Sequence, residues 1–288
     1  MNFNSGVYTV LVTPFDDNNN IDFDSLDNLI DKQLNSNVTG LVILGTTSES
    51  PTINLEEKKS IVNFVYKRVS GKKKLIVGVG GNNTNNVINF SQFCENLCDG
   101  FMVTVPNYNK PTQNGIYQHF SEISNKFPNK PIILYNIPSR CCVNMLPETV
   151  KKIYDNHSNV LAIKEASGSM DQVMKIKSLC DIKIFSGDDA LVLPIMSLGG
   201  DGVISVLSNL CPDKVFEIYD DCFNNDYNSA RKNYFKLHQL IKLLFIETNP
   251  VPVKEFLFNL GLIKTNNVRL PLCKMTTKLE SFEKLLSI

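Results

Sequence analysis

Short apolar runs rich in β-branched residues alternate along the chain with longer stretches whose apolar positions recur three and four apart. Eight runs stand out: "VYTVLVT" from Val7, "LVIL" from Leu41, "LIVGV" from Leu75 and "FMVTV" from Phe101. The others are "IILYN" from Ile132, "VLAIK" from Val160, "IKIFS" from Ile182 and "GVISV" from Gly202. Most gaps between them carry a helical pattern. In "DSLDNLIDKQLN" (24–35), Leu26, Leu29, Ile30 and Leu34 share one helix face. In "LEEKKSIVNFVYKRV" (55–69), acidic residues open the helix and basic ones close it, as the helix dipole favours. Eight β/α units, spaced by roughly 20 to 35 residues, predict a closed (β/α)8 barrel. An open doubly wound sheet is the competing architecture. It usually carries a Gly-rich phosphate turn after its first strand, and "VTPF" is no such turn.

From about Pro212 the strand signal stops. "VFEIYDDCFNNDYNSARKNYFKLHQLIKLLFIE" is helical by periodicity, and "NPVPVKEFLFNLGLI" begins a further helix with prolines ahead of it. The expected organisation is a barrel over 1–223 that carries the site, then a helical region over 224–288. Such a region can cap the barrel or build a subunit contact.

Composition narrows the function classes. Of the 288 residues, 43% are hydrophobic and 20% charged, which is ordinary globular composition. Lysine plus arginine equals aspartate plus glutamate, 29 each, so no basic face argues for nucleic acid or an anionic membrane. No apolar stretch approaches the roughly 18 residues that span a bilayer. The N-terminus lacks the pattern of a secretory signal, which makes the cytoplasm the expected compartment. The eight cysteines then read as reduced, small hydrophobes. Cys94 and Cys98 share a helix face, but no close-spaced histidine motif completes a ligand set, so no metal is expected.

The candidate chemistry starts at "NVLAIKEASG" (159–168), where a strand that reads as fully buried delivers a lysine at its end. A lysine there can simply reach water. It can also be a desolvated amine, pushed toward its neutral form, that attacks a carbonyl and forms a Schiff base. Alternation along the strand sends the next residue, Glu165, to the opposite face. Barrel enzymes build their sites at the C-terminal ends of the strands. Those ends offer Thr46 and Thr47 in "GTTSES", Tyr108 in "PNYNKP", Tyr135 and Arg140 in "LYNIPSR", Gly187 in "SGDD", and Ile204 and Ser205. Singly, each has an ordinary reading as packing, capping or surface charge. Gathered on one rim around Lys164, they suit a small keto acid: an amine for the carbonyl, hydroxyls for proton traffic, a guanidinium for a carboxylate.

These motifs carry a resemblance. "VTPF", "GTTSES", "VPNYNKP", "LYNIPSR", "IKEASG", "SGDD", "GGDGVISV", "NPVPVK" and "VRLPL" follow in order along nearly the whole chain. The sequence thereby resembles the dihydrodipicolinate synthase / N-acetylneuraminate lyase family of pyruvate-dependent class I aldolases. The resemblance implies a barrel with a C-terminal helical part, usually a homotetramer, and no metal or organic cofactor. It implies that Lys164 forms the iminium with pyruvate and that Tyr135, Thr46 and Tyr108 relay protons, Tyr108 coming from the neighbouring subunit. Thr47, Gly187 and Ile204 are expected to position pyruvate, and Arg140 to hold the carboxylate of the second substrate.

Arg140 and Tyr108 resemble the branch that condenses pyruvate with aspartate semialdehyde. Sialic acid lyases and 2-keto-3-deoxy sugar-acid aldolases of the family remain the alternative, and a non-catalytic ligand-binding barrel is a further one. Ser48 stands where the family typically has glycine, which leaves the loop carrying Thr46 and Thr47 open to a shift. Lysine-inhibited relatives typically carry histidines where this chain has Leu55 and Lys58, a glutamate at Asn86 and a tyrosine at Asn107. The expected consequence is an enzyme insensitive to lysine.

Overall fold

The computed structural model describes residues 3–277, so the last part of the expected helical region, 278–288, lies outside the described residues. Eight parallel strands close in chain order into a barrel. They are β1 (Gly6–Val10), β2 (Gly40–Ile43), β3 (Lys74–Gly78), β4 (Gly100–Thr104), β5 (Ile132–Asn136), β6 (Val160–Glu165), β7 (Lys183–Ser186) and β8 (Gly202–Ser205). The seam is β1 on β8, with Gly6 opposite Gly202. A Cβ on Gly202 would stand 1.9 Å from the Gly6 carbonyl oxygen, and its φ of +148° lies where side chains are strained. Glycine is what lets the seam close.

The strands are apolar on both faces because side chains fill the barrel on one side and helices cover the other. The helices between them are α1 (Phe23–Leu34), α2 (Leu55–Val69), α3 (Thr84–Cys94), α4 (Gln113–Lys126), α5 (Pro138–Cys141), α6 (Pro147–Asn156), α7 (Met170–Leu179) and α8 (Val192–Ser197). Helix α2 matches the sequence pattern residue for residue. Asn54 and Glu57 form its capping box, and Glu56 and Lys67 lie at the ends the dipole favours. Tyr8 stacks on Phe3 at 4.9 Å, and Phe185 meets Tyr8 edge-on at 5.7 Å. Strand β1 stops at Val10 rather than running on through "LVT". Its continuation becomes a rim loop, held where the Val12 amide donates to Asn209 Oδ1.

After β8 come α9 (Pro212–Phe223), α10 (Tyr227–Leu243) and α11 (Val251–Asn259). Helix α10 reaches the rim through Tyr234, whose hydroxyl donates to the Ala190 carbonyl at 2.8 Å. Helix α11 enters more deeply. Lys254 is wholly buried and pairs with buried Glu49 at 2.5 Å, while Glu49 also accepts from the Arg269 amide. The chain beyond the barrel is therefore clamped onto the loop that carries Thr46 and Thr47.

Candidate active site

Lys164 and Tyr135 meet through strand register. They lie directly opposite each other on β6 and β5, so their side chains leave the same face of the sheet. Lys164 Nζ stands 4.2 Å from the centre of the Tyr135 ring. Both residues are buried, Lys164 at 4% exposure and Tyr135 at 2%. No acidic side chain pairs with Lys164 Nζ among the described residues. Gly187, just past β7, is the backbone against which the lysine lies. A Cβ there would sit 3.2 Å from Lys164 Cε and 2.6 Å from the Ala166 methyl. Ile204 is buried in β8, opposite Tyr8 across the barrel seam.

A cleft of about 470 Å³ opens at the C-terminal ends of β2 to β5. Thr46, Thr104, Asn107 and Arg140 are among its lining residues, and Thr104 lies opposite Tyr135 in the strand register. A space of this size suits a small polar substrate. Arg140 is exposed on α5 and donates from its guanidinium to the Asn249 carbonyl at 3.1 Å. The same Asn249 donates from its side chain to Thr47 Oγ1 at 3.0 Å. One residue from the segment before α11 thus holds two candidate substrate contacts from different strands' loops. Asn249 was not singled out from sequence, although it opens the "NPVPVK" motif.

Ser48 is built into its loop without backbone strain. It lies outside the left-handed region of the backbone, where glycine would be required, while its neighbour Glu49 occupies that region with φ 57°. The Ser48 hydroxyl is buried and donates to the Leu11 carbonyl at 2.6 Å, a rim contact that glycine lacks.

Thr46 lines the cleft, whereas Tyr108 stands out in solvent. It is 86% exposed, on a loop with φ 64°. That loop is shaped by the Asn109 amide, which donates to the Asn107 carbonyl at 2.7 Å, and by Asn109 Nδ2, which donates to the Asn82 carbonyl at 2.8 Å.

Glu165 faces away from Lys164, as alternation along β6 requires. It is buried at 2% exposure and accepts hydrogen bonds from the Ser167 amide at 2.7 Å and from Gln172 Nε2 at 2.9 Å. Asp189 is buried at the ends of β7 and β8. Its carboxylate accepts from Ser205 Oγ and from the amides of Val206 and Leu207, at 2.5 to 2.9 Å. Burial nevertheless pushes its pKa upward. Among the described residues no cluster of histidine, cysteine, aspartate and glutamate could hold a metal ion, and no helix is long and apolar enough to cross a membrane.

The chain is similar to known proteins over nearly its whole length. A family model described as "Dihydrodipicolinate synthetase family" matches residues 3–288. The chain is 46% identical over 273 residues to a 4-hydroxy-tetrahydrodipicolinate synthase of Endomicrobium trichonymphae, covering 94% of this chain and 93% of that protein. It is 42% identical over 271 residues to the protein of the same name from Methanococcus maripaludis strain S2, with the same coverage of each. The crystal structure of dihydrodipicolinate synthase from Thermotoga maritima superposes with a TM-score of 0.93 at 40% identity, covering 99% of this chain and 96% of that one.

Proposed function

The chain belongs to the dihydrodipicolinate synthetase family, and from that premise we propose that Lys164 is its Schiff-base nucleophile. The enzyme is a lyase of lysine and diaminopimelate biosynthesis. It condenses pyruvate with L-aspartate 4-semialdehyde to 4-hydroxy-tetrahydrodipicolinate. The observation that carries the mechanism is a buried lysine without an acidic partner, 4.2 Å from a buried tyrosine ring at the strand ends.

Lys164 Nζ attacks C2 of pyruvate, and loss of water leaves an iminium. The iminium withdraws electrons from the methyl group, a methyl proton departs, and an enamine forms. Its carbon attacks the aldehyde of the semialdehyde, whose oxygen takes up a proton. The substrate amine then attacks C2, closes the ring and displaces Lys164. The lysine is its own electron sink, so these steps call on no metal or organic cofactor. Tyr135 and Thr46 carry protons to and from the reacting atoms. Thr47, Gly187 and the Ile204 backbone position the pyruvate unit, and Arg140 binds the semialdehyde carboxylate.

Tyr108 completes the relay from a neighbouring subunit of a homotetramer, a dimer of dimers. Its exposure, on a loop braced by Asn109, supports that reading. The compartment of this biosynthetic enzyme is the cytoplasm. The deciding assay runs pyruvate plus aspartate semialdehyde beside pyruvate plus N-acetylmannosamine. Turnover of the first pair alone is expected. Turnover of the second pair instead would assign the chain to sialic acid cleavage.

A further inference from the structure

Behind the Lys164–Tyr135 pair, the next residues of the same two strands are also directly opposite each other: Asn136 on β5 and Glu165 on β6. They face outward, toward the helical layer, where a barrel ordinarily places apolar side chains. Here the chain places a buried carboxylate instead. Its Oε2 accepts from Asn136 Nδ2 at 3.1 Å and Gln172 Nε2 at 2.9 Å, and its Oε1 accepts from the Ser167 amide at 2.7 Å. Asn136 Nδ2 also donates to Asn144 Oδ1 at 2.8 Å, and Asn144 Nδ2 donates to Gln172 Oε1 at 2.7 Å. The four side chains close a ring. Asn136 Oδ1 then accepts from the Met145 amide at 3.0 Å, which ties in the segment that follows Arg140.

A buried charge is costly even when hydrogen-bonded, and well-packed apolar residues of similar volume often serve stability as well or better. The ring therefore needs a reason other than stability. Its members join β5, β6, α7 and the loop after α5. Those elements carry or adjoin Tyr135, Lys164 and Arg140.

We infer that Glu165 is a positioning residue: through Asn136, Gln172 and Asn144 it fixes where Lys164, Tyr135 and the Arg140 loop stand relative to one another. This rests on the Schiff-base reading above. Its effect is geometric. Nucleophile and proton carrier come from different strands, and misplacement by about 1 Å can cost on the order of a hundredfold in rate. Backbone pairing sets the strand register but leaves twist and slide at the strand ends free. The ring removes that freedom behind the reacting groups.

The test is E165Q, which keeps the side chain's size while replacing an acceptor oxygen by a donor. Iminium formation is followed by rapid quenching into borohydride with pyruvate, next to steady-state kinetics and thermal unfolding. In folded E165Q, measured well below its Tm, iminium formation and kcat fall by about tenfold or more, while KM for pyruvate moves by less than about threefold. Adding N136D returns a carboxylate to the ring and restores most of the rate. A folded E165Q with wild-type iminium formation overturns the inference, as does a loss that only tracks the unfolded fraction or that N136D leaves unrepaired. The wild-type arm separates the two claims. No adduct on wild-type Lys164 overturns the Schiff-base reading and the inference with it, whereas a normal wild-type adduct beside an unimpaired E165Q removes the inference alone.

Discussion

Lys164 Nζ lies 4.2 Å from the centre of the Tyr135 ring because the two residues are opposite each other in the β5–β6 register. Reduction with borohydride in the presence of pyruvate is expected to add a pyruvate-derived mass at Lys164 and nowhere else. Tyr135→Phe should retain that adduct but lower kcat by roughly a hundredfold to ten-thousandfold, the range for a lost proton carrier. Peptide mapping and steady-state rates check both. An adduct at another lysine would remove the mechanism.

Arg140 is held by the Asn249 carbonyl at the mouth of the cleft, where its guanidinium can receive a carboxylate. Arg140→Ala should raise KM for aspartate semialdehyde by about ten- to a hundredfold, the worth of a charged hydrogen bond. KM for pyruvate should change little. Equal changes in the two constants would give Arg140 another role.

Lysine should inhibit poorly. A groove of about 690 Å³ adjoins the cleft, and Leu55, Lys58, Asn82, Asn86 and Phe90 line it without any carboxylate. Lys58 Nζ stands 6.0 Å from the Phe90 ring centre, and burial lowers its affinity for a proton. A ligand with two positive charges finds amides and a like charge there, and no anionic partner. A titration of the initial rate should show no inhibition below about 1 mM lysine, the affinity scale of a weak ligand. Clear inhibition below about 1 mM would contradict this.

Acid should weaken the fold through His119. Its ring is buried, with Nδ1 2.9 Å from Thr84 Oγ1 and Nε2 without a partner, and burial lowers its pKa from 6.5 to about 4. Between those values the unfolded chain binds a proton that the folded chain does not, so stability is lost as pH falls through the window. The loss reaches roughly 3 kcal/mol at most. Urea unfolding across this range should show a shallower acid slope for His119→Gln than for the wild type. Parallel slopes would place the acid sensitivity elsewhere.

The sequence by itself determined the eight strands, the closed barrel and the end of β6 as the seat of Lys164. Those features are local: β-branched runs, helix caps, turn residues and the period-two alternation that turns Glu165 away from Lys164. Motif order also carried the family and its reaction. Tertiary structure alone decided which side chains touch. Register across β5 and β6 puts Tyr135 over Lys164 and Asn136 against Glu165, and no pattern within either strand encodes that pairing. Asn249 meets both Thr47 and Arg140, and Lys254 meets Glu49, only because the chain beyond β8 folds back over the rim. Each of these contacts joins segments far apart in sequence. Hydrophobic periodicity reports which face a residue takes, whereas its neighbour on that face is fixed by closure of the whole barrel.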